Sequence, residues 1–213
     1  VGILMMENLG EEDEEFWARG ITEDLIIKVA GAGLIRVAPM KEILEVDIKE
    51  SFAAIAKKLR VKYLLTSSIY KKEDGFDLHS QLIEAKSGNS RYANKWSEPI
   101  DKAPIIVGNL ADNILKSLKV NTKQDIDKGF NLNADAYGLY LKAKYKYRKR
   151  TTEEDIIICE GLLAKALSID SNLIEAKRLL GDIYLDKGND KQALAIYHDC
   201  LEHSKNIDDN INI

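Results

Sequence analysis

"VKYLLTSSIYKKEDGFDLHSQLIEA", Val61 to Ala85, is the stretch that decides the fold. After Glu73, Asp74 and Gly75, the residues Phe76, Leu78, Ser80 and Leu82 alternate with Asp77, His79, Gln81 and Ile83. A two-residue period is that of a strand with one face on a core, and the Glu-Asp-Gly interruption has turn chemistry, so the segment reads as a β-hairpin. "KSGN" supplies a second turn and "SRYANKWSE", residues 90–98, a third hairpin strand.

Upstream, "VGILMM" at residues 1–6 is a short continuous apolar run suited to a strand buried on both faces, and "ENLG" after it reads as a loop. "EEDEEFWARGITEDLIIKVAGA" reads as a helix whose acids sit at its start, where the helix dipole favours them. "LIRVAP" at residues 34–39 reads as a second buried strand and "KESFAAIAKKLR" as an amphipathic helix. Downstream, "APIIVGNLADNILKSL" closes the unit as a helix. The predicted order is β-α-β-α-β-β-β-α over residues 1–120. Two βα crossovers imply a parallel start and the hairpins an antiparallel finish, giving an α/β fold with a mixed parallel and antiparallel sheet. Residues 121–133 are polar and aperiodic and read as a linker. Residues 134–213 are helical only, four helices in two hairpins, with Thr151 and Glu154 offering a capping box before the second.

The 213 residues leave room for two small domains, and 45% hydrophobic with 31% charged residues suits a globular protein rather than a disordered one. The net charge of -4 argues against a dedicated nucleic-acid binder. No apolar run approaches the ~20 residues that span a membrane. Cys159 and Cys200 lack metal or redox spacing and suggest a reducing compartment, the cytoplasm. A chain that opens on Val and a strand-like run reads as a piece of a longer protein.

In the last helices, Leu180 and Gly181 are followed by Tyr184, Gly188, Ala193, Tyr197 and Cys200. This pattern resembles the tetratricopeptide repeat, with its period of about 34 residues. Small residues let the two helices of a repeat approach, and aromatics fill the gaps between them. The consensus tryptophan position falls on Lys177 and the closing proline on Lys205. The preceding unit matches in its second helix only, through Cys159, Leu163 and Ala166, as a degenerate repeat. "ENLGEEDEEFWARGITEDLI" with "LRVKYLLTSSIYKKEDGFDLHSQLIEAKSGN" resembles the TolB amino-terminal-like domain of bacterial multidomain proteins. The sequence departs from that family at "ILMMEN". The resemblance implies tetratricopeptide repeats after the α/β domain and an attached effector, commonly a class III adenylate cyclase, a winged-helix domain or a protein kinase. It also implies further repeats beyond Ile213, since a solenoid needs about three units or a cap.

Candidate sites follow from chemistry at stated spacings. His79 stands on the strand face opposite Phe76 and Leu78 with no nucleophile at motif spacing. His198 and His203 are five residues apart, not the four of a zinc-binding helix pair, and read as surface. "EEDEE" lacks the alternating ligands of a calcium loop. "AGAG" ends a helix rather than opening one, so it is no phosphate loop. Loops at the C-terminal edge of parallel strands are where α/β sheets take ligands, which nominates Glu7, Asn8, Thr22 and Glu23 as a ligand or partner surface. Their plainer reading is a capped turn and helix packing. "YLKAKYKYRKR", residues 140–150, interleaves tyrosines and cations. On a helical wheel Tyr140 and Tyr147 share one apolar stripe with Leu139 and Ala143, and Tyr137, Leu141 and Tyr145 share a second. Lys142, Lys146 and Lys149 form a polar flank, with Lys144 and Arg148 between the stripes. The flank reads first as solvated surface, next as a site for an acidic protein partner, and last as a nucleic-acid contact.

The sequence therefore predicts a non-catalytic regulatory and protein-interaction module of a bacterial signalling protein. Its partner, a protein or peptide, would be held by the helical repeats, with no cofactor, no metal and an effector in cis. The alternative is a small-molecule sensor using the loop edge near Asn8.

Overall fold

The hairpin strands form as the alternation requires. In the computed structural model, which describes residues 1–32, 35–120 and 132–211 (side chains to residue 202), β3 (Tyr63–Lys71), β4 (Gly75–Glu84) and β5 (Ser90–Pro99) run antiparallel. Leu65, Ile69, Phe76, Leu78 and Leu82 share one face and are buried. Gly75 is required where the hairpin begins, because a Cβ there would lie 2.5 Å from the Glu98 carbonyl oxygen.

The parallel part is one edge strand in two pieces, β1 (Gly2–Ile3) and β2 (Glu7–Asn8), both beside β3. Gly2 and Ile3 pair with Leu64 and Leu65, whereas Glu7 and Asn8 pair with Ser68 and Ile69. The edge thus carries one residue more than β3 over this interval, a bulge at Met5 and Met6. The sheet order is β1/β2, β3, β4, β5.

Two sequence expectations are corrected. "ENLG" is not wholly a loop, since Glu7 and Asn8 are strand. "LIRVAP" is not a strand in its described part, residues 35–39. Among the described residues its backbone makes only the bonds Val1 N to Arg36 O and Ala38 N to Val1 O before Pro39, which has no N–H, leads into α2 (Met40–Leu44). The sheet therefore has one parallel crossover instead of two, and it passes through α1 (Glu15–Gly31), α2 and α3 (Phe52–Lys58). α1 and α4 (Ala103–Ser117) pack on each other, and α4 meets the Leu82 face, where Asn113 Nδ2 donates to Tyr92 Oη. α3 covers one end of the other face, placing Leu59 beside Leu64. The predicted linker, 121–133, lies mostly outside the described residues.

The contacts divide the chain into two compact units, Val1–Asn131 and Leu132–Ile213. The second consists of α5 (Ala134–Lys149), α6 (Glu153–Ile169), α7 (Ile174–Asp186) and α8 (Asp190–Ile211), paired as hairpins α5–α6 and α7–α8. The capping box at α6 is one residue later than Thr151 and Glu154. Thr152 Oγ1 accepts from Asp155 N at 3.2 Å and Asp155 Oδ2 accepts from Thr152 N at 3.2 Å. Aspartate, not glutamate, closes the box here. Backbone bonds, first from Thr151, and then Lys146 hold the Asp155 carboxyl well below the usual carboxylate range. Among the described residues no helix is long and apolar enough to cross a membrane.

Candidate functional site

The four residues nominated at the loop edge divide between surface and core. Glu7 is exposed on the open sheet face, in a cross-strand row with Ser68, His79 and Lys95. Asn8 closes the turn after β2: its Nδ2 donates to Glu11 O at 2.7 Å and its Oδ1 accepts from Gly10 N at 3.1 Å. Thr22 has no exposed surface, and its hydroxyl accepts from Met6 N at 3.0 Å and donates to Ala18 O at 2.8 Å. That bond satisfies an amide of the bulge. Glu23 is buried with Arg19 Nε 3.4 Å from its carboxylate. Glu7 and Asn8 are therefore reachable from solvent, and Thr22 and Glu23 are not.

The Glu7–Ser68–His79–Lys95 row escaped sequence reading for a physical reason. The alternation puts His79 on the outer face, but hairpin register, which sets Lys95 beside it, depends on turn geometry. The row floors a shallow open hollow with Thr66 and Gln81.

On α5, Tyr137, Tyr140, Leu141 and Ala143 are buried. Lys144, which the wheel puts between the two apolar stripes, is covered: it is 5% exposed, with Nζ 5.3 Å from the Tyr140 ring centroid. Lys146 pairs with Asp155 at 2.9 Å, and Lys149 stands over the Tyr145 ring at 4.4 Å and donates to its hydroxyl. Lys142 is exposed and also engaged. Tyr147 is half-buried; Arg150 stacks on its ring at 3.8 Å, and both meet Asp186. Burial and then Asp186 push the Tyr147 phenol up. With Tyr137 and Tyr140 turned inward, the tyrosines do not stand together beside the cations as a base-stacking platform would.

In the hairpins, Cys159, Leu163 and Ala166 of α6 are fully buried. Ala193, Tyr197 and Cys200 repeat their spacing on α8, about 34 residues on, with Ala193 and Cys200 buried and Tyr197 half-buried. Both thiols are free. Leu180 and Tyr184 are half-buried on α7, and Gly188, at φ 72°, ends that hairpin's first helix in the left-handed region. Gly181 is the close-approach point, since a Cβ there would lie 2.6 Å from Tyr197 Cε1. The ring cannot easily swing clear, because Tyr197 Oη donates to Asp182 Oδ1 at 2.7 Å. Burial, and next this carboxylate, push the Tyr197 phenol up to about 12.

These contacts set a contrast of sign. A methyl group at Gly161 in α6 would have nothing within 4 Å, whereas one at Gly181 meets the Tyr197 ring. Gly161→Ala is expected to stabilise by ~0.5–1 kcal/mol through helix propensity. Gly181→Ala gains the same propensity but overpacks, and is expected to destabilise by ~1–2 kcal/mol net. Thermal melts of the two variants check this; a shift of the same sign in both would remove the close-packing role of Gly181.

No protein-family model matches this chain. No curated protein matches it in sequence either. Among solved structures it is similar to TolB from Acinetobacter baumannii, at a TM-score of 0.43 and 15% identity over 63% of this chain and 29% of that one. It is also similar to the lipoprotein GNA1162 from Neisseria meningitidis, at 0.41 and 11% over 58% of this chain and 97% of that one. The LpoB C-terminal domain from Salmonella enterica follows at 0.35 and 18%, covering 46% and 80%. The chain spans less than a third of the TolB chain it matches.

Proposed function

We propose that this chain is a non-catalytic, protein-binding regulatory module, with tetratricopeptide-like hairpins that hold a partner and an α/β domain that relays to an effector in cis, such as a nucleotide cyclase. The observation that carries the reading is the repeated inward triplet, Cys159–Leu163–Ala166 and Ala193–Tyr197–Cys200, with the Gly181–Tyr197 approach between the helices of the second hairpin. Units that repeat an inward pattern stack side by side and present a continuous outer surface for a partner. Two free thiols fit a reducing compartment, the cytoplasm.

The surface assigned to an acidic partner is the α5 flank of Lys142, Lys146 and Lys149. The test is titration of the chain with acidic, neutral and basic peptide libraries, alongside Lys142→Glu with Lys146→Glu. Saturable binding of acidic peptides, lost in the double variant while its helical circular dichroism is kept, supports the reading. Binding that ignores the double variant removes the flank from it. The second reading, a small-molecule sensor at the loop edge, draws on exposed Glu7 beside the open row of Ser68, His79 and Lys95. It predicts stabilisation by a metabolite that is abolished by Glu7→Gln.

A further inference from the structure

Where α3 ends and β3 begins, Ala53, Ala56, Val61 and Ala85 floor a hollow of about 520 Å³. Four cations ring it: Lys57, Arg60, Lys62 and Lys86. Only Lys62 is ion-paired, with Glu84 at 3.1 Å; among the described residues Lys57, Arg60 and Lys86 meet no carboxylate. Arg60 occupies the left-handed region at φ 54°, just past the end of α3, a position that favours glycine. A cation there could be explained by the helix C-terminus, but that work is already done. Arg36 Nη1 donates to Leu59 O at 2.7 Å and to Arg60 O at 3.2 Å, and Val61 N closes on Ala56 O at 2.9 Å. The Arg60 guanidinium is thus left on the rim of an apolar hollow, in a chain whose net charge is -4.

An occupant must cover small apolar side chains and bring at least two negative charges. The opposite end of the same sheet carries such a group. Leu9 is 53% exposed at the end of β2, and Glu11, Glu12 and Asp13 follow it, all exposed. None of these three acids has an ion pair among the described residues. Leu9 N bonds Ile69 O near the end of β3, whereas the hollow lies before its start, where Ala85 N bonds Lys62 O. Seven strand steps, about 23 Å, separate Lys62 from Ile69. One copy therefore cannot close on itself.

We infer that the acidic tip Leu9–Asp13 of one copy docks in the hollow of a second copy, Leu9 on the alanine floor and Glu11 and Glu12 against Lys57, Arg60 and Lys86. The contact is head-to-tail, so it builds rings or filaments rather than a two-fold dimer. It places the interaction surface on the α/β unit and is independent of the helical hairpins.

The experiment is sedimentation velocity on the 213-residue chain from about 5 to about 500 µM at about 50 mM salt, where exposed charges are least screened. The expected result is a sedimentation coefficient that climbs with concentration and falls back at about 500 mM salt. Lys57→Glu with Arg60→Glu stays monomeric, as does Glu11→Lys with Glu12→Lys. An equimolar mixture of these two variants regains assembly, because the reversed hollow of one and the reversed tip of the other again carry opposite charges. Leu9→Ser, which leaves every charge in place, weakens assembly about tenfold, as loss of a buried leucine contact should. A wild-type chain that is monomeric throughout overturns the inference, as does assembly indifferent to both charge reversals. Binding of the monomer to anionic lipid vesicles through Lys57 and Arg60, without self-association, would assign the hollow to a membrane surface and overturn it as well.

Discussion

Tyr140→Ala is expected to lower the stability of the helical unit by ~3–5 kcal/mol, the range for removing a buried aromatic ring. Tyr140 is 1% exposed, its ring is tilted against Tyr137 at 6.1 Å, and Lys144 is seated over it. Tyr147→Ala is expected to cost less, ~1–2 kcal/mol. Its ring lies in the last turn of α5, half-buried, with one face held by Arg150 and the hydroxyl by Asp186. Urea unfolding followed by helical circular dichroism reads both values. Equal losses would mean that the two tyrosines belong to one core stripe, which is what their shared side of the helical wheel suggests. The wheel fixes direction only; burial depends on what lies opposite, and the Tyr147 end of α5 faces the polar Asp186 at the end of α7.

The same distinction explains what the sequence showed of the fold. The β3–β4 alternation was legible because one face meets apolar helices: Phe76, Leu78 and Leu82 are buried and His79 and Gln81 exposed. The spacing Cys159–Leu163–Ala166 recurs as Ala193–Tyr197–Cys200, and five of these six side chains are buried. "LIRVAP" misled because its apolar content is that of a strand, while among its described residues the backbone bonds only to Val1 before Pro39. The capping box was legible in kind and displaced by one residue, since Thr151 and Thr152 are chemically equal and the helix start selects between them. The candidate sites were harder. The row from Glu7 to Lys95 depends on register across four strands, and the hollow at Arg60 depends on a left-handed residue that nothing in "KKLRVK" announces. Lys144 was placed on the correct side of α5 by the wheel, yet a wheel carries no neighbours and could not show that the position is covered.

Thr22→Val is expected to destabilise the α/β unit by ~1–3 kcal/mol although it keeps shape and volume, because it leaves a buried donor without its acceptor. The bulge at Met5 and Met6 turns the Met6 amide away from β3, and Met6 is 3% exposed, so water cannot replace the lost bond at no cost. Thr22 Oγ1 is positioned for that amide by its own donation to Ala18 O, one helical turn back in α1. Thr22→Ser keeps the hydroxyl and is expected to cost about 1 kcal/mol, the value of one buried methyl group. Chemical denaturation orders the three proteins, and hydrogen exchange at the Met6 amide reports the bond itself: protection retained in Thr22→Ser and lost in Thr22→Val. A valine variant as stable as the parent, with Met6 still protected, would show that the bulge is held by packing alone. The expected ordering assigns Thr22 to the fold, as the residue that lets an edge strand carry one extra residue and still present Glu7 in register with Ser68, His79 and Lys95.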